Sequence, residues 1–258
     1  MVTNFLNLSG VHVFITGAAG GVGVATSRAF LEQGAKVTLQ YNSSKTTLEP
    51  LAAEYPDTTF LVQARVDNEE QAAKAFEESI AALGPIQVLV SNHGIWPKNN
   101  TAIKDMDLEQ WNNTLNVNLT GSFIVLREYL KQLEKYQVQN NVAVVFVGSI
   151  VARLGQTFHA DYATSKSALE GGLMNTLKNE LVKIAPRGRV NTVAPAYIRT
   201  PMAEGILQNK ELLERSLTII PLHKISEPED VANSVLFLAS ERASGNITGH
   251  VLDVNGGI

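Results

Sequence analysis

The sequence predicts one α/β domain: a parallel, doubly wound sheet of seven strands with helices on both faces. Short apolar runs alternate with segments of helical periodicity along all 258 residues. Parallel strands need a crossover connection, usually a helix, and the helices then cover both faces of the sheet. No linker, repeat or low-complexity run interrupts the alternation, so residues 1–258 are expected to form a single domain.

The predicted strands are apolar runs that end at glycine, proline or polar residues. Strands of a covered parallel sheet are apolar along their whole length, because neither face meets water. In chain order the runs are Val11–Ile15, Lys36–Tyr41, Thr59–Val66, Ile86–Val90, Val142–Val147, Arg189–Val193 and Val251–Val254.

The predicted helices fill the intervals between these runs, each with one apolar face. Ser226 and Glu229 match a capping box, which places the start of the last helix at Ser226. A long helix after Tyr162 is indicated by leucines four residues apart, at Leu169, Leu173, Leu177 and Leu181. The other helices are predicted over Val24–Gln33, Thr46–Tyr55, Glu69–Leu83 and, in two pieces, Asp107–Tyr136.

Composition and charge exclude several classes of function. The formal net charge of −4 and the absence of a basic run argue against nucleic-acid binding. The absence of cysteine excludes disulfides and zinc–thiolate sites, and the scattered histidines indicate no metal site. No signal-peptide pattern opens the sequence, and no apolar run approaches the roughly 20 residues of a membrane span. We therefore expect a soluble, cytoplasmic protein that does not bind membranes.

A serine, a tyrosine and a lysine form a candidate proton-delivery site. Ser149 follows the fifth predicted strand, and Tyr162 and Lys166 share one face of a helix. A neighbouring cation favours the phenolate, so the lysine is expected to lower the phenol pKa from about 10. A Tyr-x-x-x-Lys spacing alone is common by chance, as an aromatic ring beside a solvated lysine. The upstream serine and a glycine-rich loop near the start of the chain favour the enzymatic interpretation.

That loop, residues 16–23, follows the first predicted strand and precedes a helix, where it is expected to bind a pyrophosphate. Glycines allow the main chain to approach the phosphates, and amides at the helix N-terminus meet their charge. In a doubly wound sheet ligands lie beyond the carboxyl ends of the strands. The active crevice is therefore expected where four strand ends meet, at Gly17, Asn92, Ser149 and Pro195.

The chain resembles the short-chain dehydrogenase/reductase family over essentially its whole length. The residues that carry the resemblance are Thr16, Gly17, Gly21, Gly23, Asn92, Gly94, Asn118, Ser149, Tyr162, Lys166, Pro195 and Thr200. It implies a Rossmann fold, NAD(P)-dependent hydride transfer to or from a carbon that bears oxygen, and a homotetramer with helices near 108–134 and 160–184 at one interface. The chain looks most like NADPH-dependent ketoreductases of the 3-oxoacyl reductase or fungal polyol and polyketide reductase type.

The resemblance also implies a role for each site residue. Tyr162 would be the general acid in reduction and the base in oxidation, and Ser149 would polarise the carbonyl. Lys166 would hold the nicotinamide ribose and lower the pKa of Tyr162, while Asn118 would support a water relay to that lysine. Further cofactor contacts are expected from Gly17, Gly21, Val22, Gly23, Asn92, Gly94, Pro195, Ile198 and Thr200. Of these, Ile198 and Thr200 would bind the carboxamide of the nicotinamide.

Three positions near the crevice depart from the family pattern. His93 replaces an alanine, and it could either line the crevice or pack as a hydrogen-bonded histidine beside the sheet edge. Ala196 replaces a glycine after the sixth strand. Arg65 replaces the adenine-binding aspartate and is followed by Val66 and Asp67, so whether Arg65 or Asp67 faces the adenine stays open.

The end of the second predicted strand favours NADPH over NADH. An acidic residue there would bind the ribose 2′-hydroxyl of NAD and repel a 2′-phosphate, and none is present. Gln40, Asn42, Ser43 and Ser44 instead offer hydrogen-bond donors to a phosphate. Two observations weigh against this interpretation: Gly20 stands where many NADP-using relatives have arginine, and Asn-Ser-Ser is also typical of a simple turn.

Substrate contacts are expected from residues close to the crevice, namely His93, Trp96, His159, Tyr197 and Met202. The segment 196–225 resembles the family's lid, with Ile206 and Leu207 as further pocket residues. Together they indicate a pocket for a small to medium, largely apolar carbonyl compound.

The leading hypothesis is therefore NADP(H)-dependent reduction of a carbonyl to an alcohol, with Tyr162 as the proton donor. One alternative is an NAD(P)-linked alcohol dehydrogenase or isomerase that uses the same residues. Another is a non-catalytic NADP-binding sensor, which the intact Ser149, Tyr162 and Lys166 argue against.

Overall fold

The chain folds around one parallel sheet of seven strands in the order β3-β2-β1-β4-β5-β6-β7. The computed structural model describes residues 5–258, with only the main chain at position 206. The strands are β1 His12–Ile15, β2 Lys36–Tyr41, β3 Thr59–Gln63, β4 Val88–Ser91, β5 Ala143–Val147, β6 Arg189–Pro195 and β7 Val251–Val254. The order reverses between β1 and β4, which places the switch point beside the glycine-rich loop.

The helices connect these strands on both faces of the sheet. Those before β5 are α1 Gly21–Glu32, α2 Glu49–Glu54, α3 Glu69–Leu83, α4 Leu108–Leu115 and α5 Gly121–Tyr136. Those between β5 and β6 are α6 Val151–Leu154, α7 Ala160–Ser167 and α8 Met174–Ile184. Those before β7 are α9 Glu204–Leu207, α10 Lys210–Ile219, α11 Pro228–Ala239 and α12 Glu241–Ser244.

The sheet separates two hydrophobic cores. Side chains that alternate along the central strands point to opposite faces, so Val13 and Ile15 enter one core and Phe14 the other. The first core is completed by α1 and α11, and the second by α3, α5 and α8. β1, β4 and β5 are buried along their whole length, as the continuous apolar runs predict. The predicted fold class is confirmed.

The start of α11 differs by one residue from the sequence prediction. Glu227, and not Ser226, is the N-cap, and the reciprocal capping box joins Glu227 to Asp230 instead of Glu229. Pro228 at the first helical position fixes this start, because its ring suits the N1 position and lacks the N–H that would otherwise need a partner. Ser226 forms an isolated parallel bridge with Ile198 and accepts the N–H of Arg199 at its carbonyl.

Two π-turns interrupt the helices that cover the second core. The first, Asn116–Thr120, joins α4 to α5, and the second, Ala168–Leu173, joins α7 to α8. Each adds a residue to one helical turn. Leucines spaced by four drift by about 40° per step on a regular helix of 3.6 residues per turn. The wide turn after Leu169 offsets that drift, and the buried leucines before and after it face the same core.

We expect Leu238→Ala to destabilise the protein by about 2–5 kcal/mol, because it empties a buried site where α11 packs on the sheet. The free energy of unfolding from denaturant titration measures this loss. Asn233→Ala, at an exposed position of the same helix, is the control and should change it by no more than about 0.5 kcal/mol. Equal losses in the two variants would contradict this packing.

Candidate active site

Four strand ends meet as the sequence predicts. The amide of Asn92, after β4, donates to the carbonyls of Thr16 and Gly17 at 3.1 and 3.0 Å. The N–H of Ile150, after β5, donates to the carbonyl of Pro195 at the end of β6. The ends of β1, β4, β5 and β6 therefore form one edge, with the glycine-rich loop on one side and the start of α7 on the other.

Ser149, Tyr162 and Lys166 converge at this edge. The Ser149 side chain is hydrogen-bonded to the phenol of Tyr162, and the Lys166 Nζ lies 5.7 Å from the centre of the tyrosine ring. Tyr162 and Lys166 are buried, whereas Ser149 is partly exposed. The structure thus brings the three predicted catalytic side chains together.

The pKa of Tyr162 moves in the opposite direction from the one predicted. Burial raises it to about 12, and the hydrogen bond with Ser149 offsets only part of that effect. The expectation that Lys166 sets a lowered phenol pKa is therefore wrong for this geometry, because desolvation of the phenolate outweighs the attraction of a cation above the ring. At neutral pH Tyr162 is a protonated phenol.

Lys166 is fixed by the end of the strand beneath it. Its Nζ donates to the carbonyl of Val147, the last residue of β5, at 2.8 Å. Burial lowers the pKa of Lys166 to about 8, and the charge of Glu170 acts in the opposite direction. The side chain therefore remains a cation at neutral pH while it titrates close to the physiological range.

Asn118 lies at the first π-turn and joins three parts of the site. Its Oδ1 accepts the N–H of Ile95, and its Nδ2 donates to the Ile95 carbonyl and to the Ser165 hydroxyl. These contacts use both ends of the amide, so the side chain ties the loop after β4 to the helix of Tyr162. The Asn118 side chain and the Lys166 Nζ both lie next to Gly94. A Cβ added at that glycine would be 3.4 Å from Asn118 and 3.5 Å from the lysine Nζ.

Neighbouring atoms approach the glycines of the glycine-rich loop so closely that side chains would not fit, as expected for a phosphate-binding loop. Gly17 has φ of +60°, and a Cβ there would lie 2.8 Å from the Cα of His93. A Cβ at Gly23 would lie 2.7 Å from Ala18, inside the loop itself. A Cβ at Gly21 would lie 2.7 Å from the methyl group of Thr200, so the segment after β6 passes directly over the N-terminus of α1. Val22 packs against the first core.

Gln40 has a different role from the predicted one. Its Oε1 accepts the N–H of Gly17 at 2.9 Å, and its Nε2 donates to the carbonyl of Ala64 at 2.7 Å. The side chain is buried, so it holds the glycine-rich loop to the sheet instead of offering a donor to a phosphate. The prediction of a direct cofactor contact failed because the sequence does not show that two main-chain groups already occupy this amide.

The other residues at the ends of β2 and β3 face solvent. Asn42, Ser43 and Ser44 are exposed. Arg65 forms a two-point ion pair with Asp67, which lowers the pKa of that carboxyl group. A cavity of about 420 Å³ lies at these strand ends and is lined by Asn42, Gln63, Arg65, Gln71, Lys74, Ala75 and Glu78. Val66 is buried beneath Gly121.

His93 is a buried structural residue, and its assignment as a substrate contact is wrong. Its Nδ1 lies 2.7 Å from the Thr16 hydroxyl and its Nε2 lies 3.3 Å from the Ser122 hydroxyl. The pKa of His93 is lowered to about 3, mainly by burial and to a smaller extent by the charge of Lys166. The neutral ring therefore joins the glycine-rich loop to α5, the second of the two alternatives that the sequence left open.

An aromatic wall stands beside the phenol of Tyr162. The Trp96 ring meets the Tyr162 ring edge to face at 4.7 Å, and it contacts the His159 ring at 3.9 Å with the two planes tilted by 36°. His159 is buried and its Nε2 lies 3.0 Å from the Asn100 side chain. These contacts bring two of the residues predicted to bind substrate next to the candidate proton donor.

The segment after β6 carries the remaining predicted contacts. Ile198 accepts the N–H of Thr200 at its carbonyl, and Tyr197 accepts the N–H of Ser226. Met202 is 55% exposed at the start of a short 3-10 helix. A cavity of about 290 Å³ in this segment is lined by Arg199, Thr200, Pro201, Glu204 and Leu207. The side chain of Ile206 lies outside the described residues.

Two buried carboxylates were not identified from the sequence. Asp161, directly before Tyr162, accepts hydrogen bonds from Thr114 and Gln110 of α4 and from the N–H of Tyr162. Glu170 accepts the N–H of Ser149 from the second π-turn. Nothing in a single sequence marks them, because all their partners except the adjacent N–H of Tyr162 lie between 21 and 51 residues away along the chain.

Among residues 5–258, no three His, Cys, Asp or Glu side chains are grouped as a metal site would require. Within the same part of the chain, no helix combines the length and apolar character needed to cross a membrane.

Comparisons with known proteins agree with this geometry. A family model described as "Enoyl-(Acyl carrier protein) reductase" matches residues 17–258. The chain is 35% identical to the 3-oxoacyl-[acyl-carrier-protein] reductase FabG of Thermotoga maritima, over 98% of this chain and 99% of that protein. It is 34% identical to the FabG of Aquifex aeolicus with the same coverage.

Among solved structures, the chain is similar to a protein described as a short-chain dehydrogenase/reductase, "Glucose/ribitol dehydrogenase", from Brucella melitensis. The TM-score is 0.88 at 28% sequence identity, over 98% of both chains. The likeness therefore extends over the whole fold and is not confined to the glycine-rich loop.

We expect stability to fall as the pH drops below 6.5, because the neutral His93 ring must be protonated on unfolding. A histidine with an unfolded pKa near 6.5 and a folded pKa of about 3 removes stability progressively between those two pH values. Denaturant titrations at pH 7 and pH 5 measure the loss. His93→Gln, which does not titrate, should lose about 2 kcal/mol less than the unmodified protein over this interval.

Buried His12, whose pKa is lowered to about 4, contributes a similar loss in both proteins and so cancels in the comparison. An identical pH dependence of the two proteins would show that His93 is not buried in its neutral form.

Proposed function

Because the chain belongs to the short-chain dehydrogenase/reductase family, we propose that it reduces a 3-oxoacyl-type carbonyl to an alcohol with NADPH. One observation carries the proposal: the protonated phenol of Tyr162 lies within reach of the Ser149 hydroxyl, and the buried Lys166 ammonium lies over its ring. The family relationship supports an oxidoreductase, and the names of the similar proteins support the ketone as the reacting group.

The residues present suit a dinucleotide. The close approaches at Gly21 and Gly23 leave no room for side chains, and the main chain of the loop ends at the N-terminus of α1, as binding of a pyrophosphate requires. The nicotinamide would supply hydride to the carbonyl carbon. The proton donor and the groups that orient the carbonyl would be side chains of this protein.

Each catalytic side chain has a physical task in this scheme. Tyr162, with a pKa raised to about 12, is protonated at neutral pH and donates its proton to the carbonyl oxygen. Ser149 donates a hydrogen bond to the same oxygen and orients it. Lys166 places a positive charge next to the tyrosine, which stabilises the phenolate that forms as the proton leaves. Asn118 positions the helix that carries Tyr162 and Lys166.

The choice of NADPH rests on the ends of β2 and β3. Asn42, Ser43 and Ser44 are exposed there, with no carboxylate at the end of β2 to repel a 2′-phosphate. Arg65 lines the same cavity as Asn42, and it is a cation there even though Asp67 holds its guanidinium. Gln40 is excluded from this set because its amide is occupied.

The substrate is proposed to lie against the aromatic wall. Trp96 and the ring of Tyr162 give an apolar surface next to the reacting group, and His159 supports the tryptophan from behind. Met202 and Tyr197, in the segment 196–225, are proposed to cover the acyl chain. A small to medium apolar 3-oxoacyl compound fits such a surface.

Assembly into a homotetramer is also part of the proposal. Leu108 on α4 and Phe123 on α5 are 74% and 48% exposed, and Val182 on α8 is 40% exposed. Gly171 and Gly172, in the turn between α7 and α8, face open space. Apolar side chains beside helix positions without a Cβ allow a second copy to pack closely, which supports the expected interface of these helices.

Tyr162→Phe should lower kcat by at least about 10²-fold, the scale of a positioned general acid, while the Kd for NADPH stays within about threefold. The assay follows NADPH oxidation with acetoacetyl-coenzyme A as a 3-oxoacyl probe, and fluorescence titration gives the Kd. Tyr136→Phe, at an exposed tyrosine of α5, is the control and should retain full activity. Undiminished turnover in Tyr162→Phe would contradict the proposed mechanism.

Asn42→Asp should weaken NADPH binding by at least about tenfold and leave NADH binding unchanged or tighter, because the new carboxylate repels a 2′-phosphate and accepts a 2′-hydroxyl. Parallel titrations of both cofactors measure the change. Asn233→Asp introduces the same charge on α11 and should alter neither affinity. If the unmodified protein prefers NADH, the assignment of these strand ends is wrong.

A further inference from the structure

Glu170 is a buried carboxylate that the proposed reaction leaves without a task. It lies one helical turn after Lys166, in the π-turn Ala168–Leu173, and only 6% of its surface is exposed. Its Oε1 accepts the N–H of Ser149 at 3.4 Å. A Cβ at Gly148 would overlap the same oxygen, so the end of β5 packs directly on the carboxylate.

The charges that face Glu170 come from three elements. Burial raises the pKa of Glu170, the N–H of Ser149 and the charges of Arg153 of α6 and Lys166 of α7 lower it, and Asp253 of β7 raises it. Arg153 is paired with Asp253, so these two largely neutralise each other. Lys166 forms no ion pair with another residue among the described ones, and its Nζ is held by a neutral carbonyl. The carboxylate of Glu170 is therefore the negative charge available to balance the buried ammonium.

The π-turn explains how a charged side chain reaches this position. The adjacent residues Leu169 and Glu170 are both buried, but against different neighbours: the leucine lies in the second core and the glutamate lies beside Gly148. The extra residue of the wide turn widens the buried arc, so both contacts form.

We propose that Glu170 is a positioning residue for the reaction proposed above: its carboxylate fixes the main chain of Ser149 and keeps Lys166 charged. Ser149 must present its hydroxyl to the substrate oxygen within a few tenths of an ångström, and the anchored N–H limits its movement. A negative charge close to a buried ammonium also opposes the loss of its proton. This inference rests on the proposed function.

The test compares Glu170→Gln, which keeps a hydrogen-bond acceptor but loses the charge, with Glu170→Asp, which keeps the charge but shortens the reach. Glu180→Gln, at an exposed glutamate of α8, is the matched control. The first readout is the pH dependence of kcat/KM with NADPH and acetoacetyl-coenzyme A. The second is the titration of Lys166 by NMR of ¹³C-labelled lysine in the protein alone, which needs no turnover.

In the unmodified protein Lys166 should titrate at about pH 8. In Glu170→Gln the titration and the alkaline limb of kcat/KM should both move to lower pH, since the charge that raises the lysine pKa is gone. In Glu170→Asp the titration should stay close to that of the unmodified protein, while kcat falls by about tenfold or more because Ser149 loses its anchor. Glu180→Gln should match the unmodified protein in both readouts.

An unchanged Lys166 titration in Glu170→Gln, with only a lower unfolding midpoint, would overturn the inference and leave Glu170 a structural residue. If Glu170→Gln does not fold, Glu170→Asp decides: an unchanged kcat in that variant also overturns the inference. Absence of turnover in the unmodified protein would refute the proposed function, whereas the NMR titration would still show whether Glu170 sets the charge of Lys166.

Discussion

An ammonium group buried against the end of a parallel strand is the constraint on which the site depends. Desolvation of Lys166 costs several kcal/mol unless polar groups replace its water. The Val147 carbonyl is such a group, because the last residues of a strand keep main-chain acceptors that the sheet does not use. The contact fixes α7 at one distance from β5. Tyr162, one turn earlier on the same face, is thereby placed beside Ser149, which follows the same strand.

The same edge of the sheet is packed so closely that few side chains fit. Gly17, Gly94 and Gly148 lie where a Cβ would meet His93, Asn118 or Thr192 at 2.6 to 3.4 Å. Polar side chains that do fit are held by main-chain groups, as Gln40 is by Gly17 and Asn118 is by Ile95. These contacts hold the residues of this edge in one arrangement, and a site that is organised in advance loses less entropy when it orients two reactants.

The sequence predicted the sheet and the grouping of Ser149, Tyr162 and Lys166 because both depend largely on local patterns. Apolar runs reveal buried strands, and a four-residue spacing reveals a shared helix face wherever the helix is regular. Roles that depend on distant partners were not predictable: Gln40 reaches Ala64, and His93 reaches Thr16 and Ser122, through the fold alone. The predicted cap of α11 was wrong for a different reason: Ser226 with Glu229 matches the sequence motif, but Pro228 takes the first helical position, so Glu227 and Asp230 form the box instead.

Burial and charge together determine the protonation states of Tyr162 and Lys166. A cation beside a phenol suggests a lowered pKa, yet the ammonium lies 5.7 Å from the ring centre and is itself poorly solvated. Burial disfavours both charged forms, so the tyrosine pKa rises to about 12 while the lysine pKa falls to about 8. Below pH 8 the pair is a phenol with an ammonium, the form that donates a proton. Oxidation would require the phenolate, so at neutral pH this protonation state suits the proposed reduction.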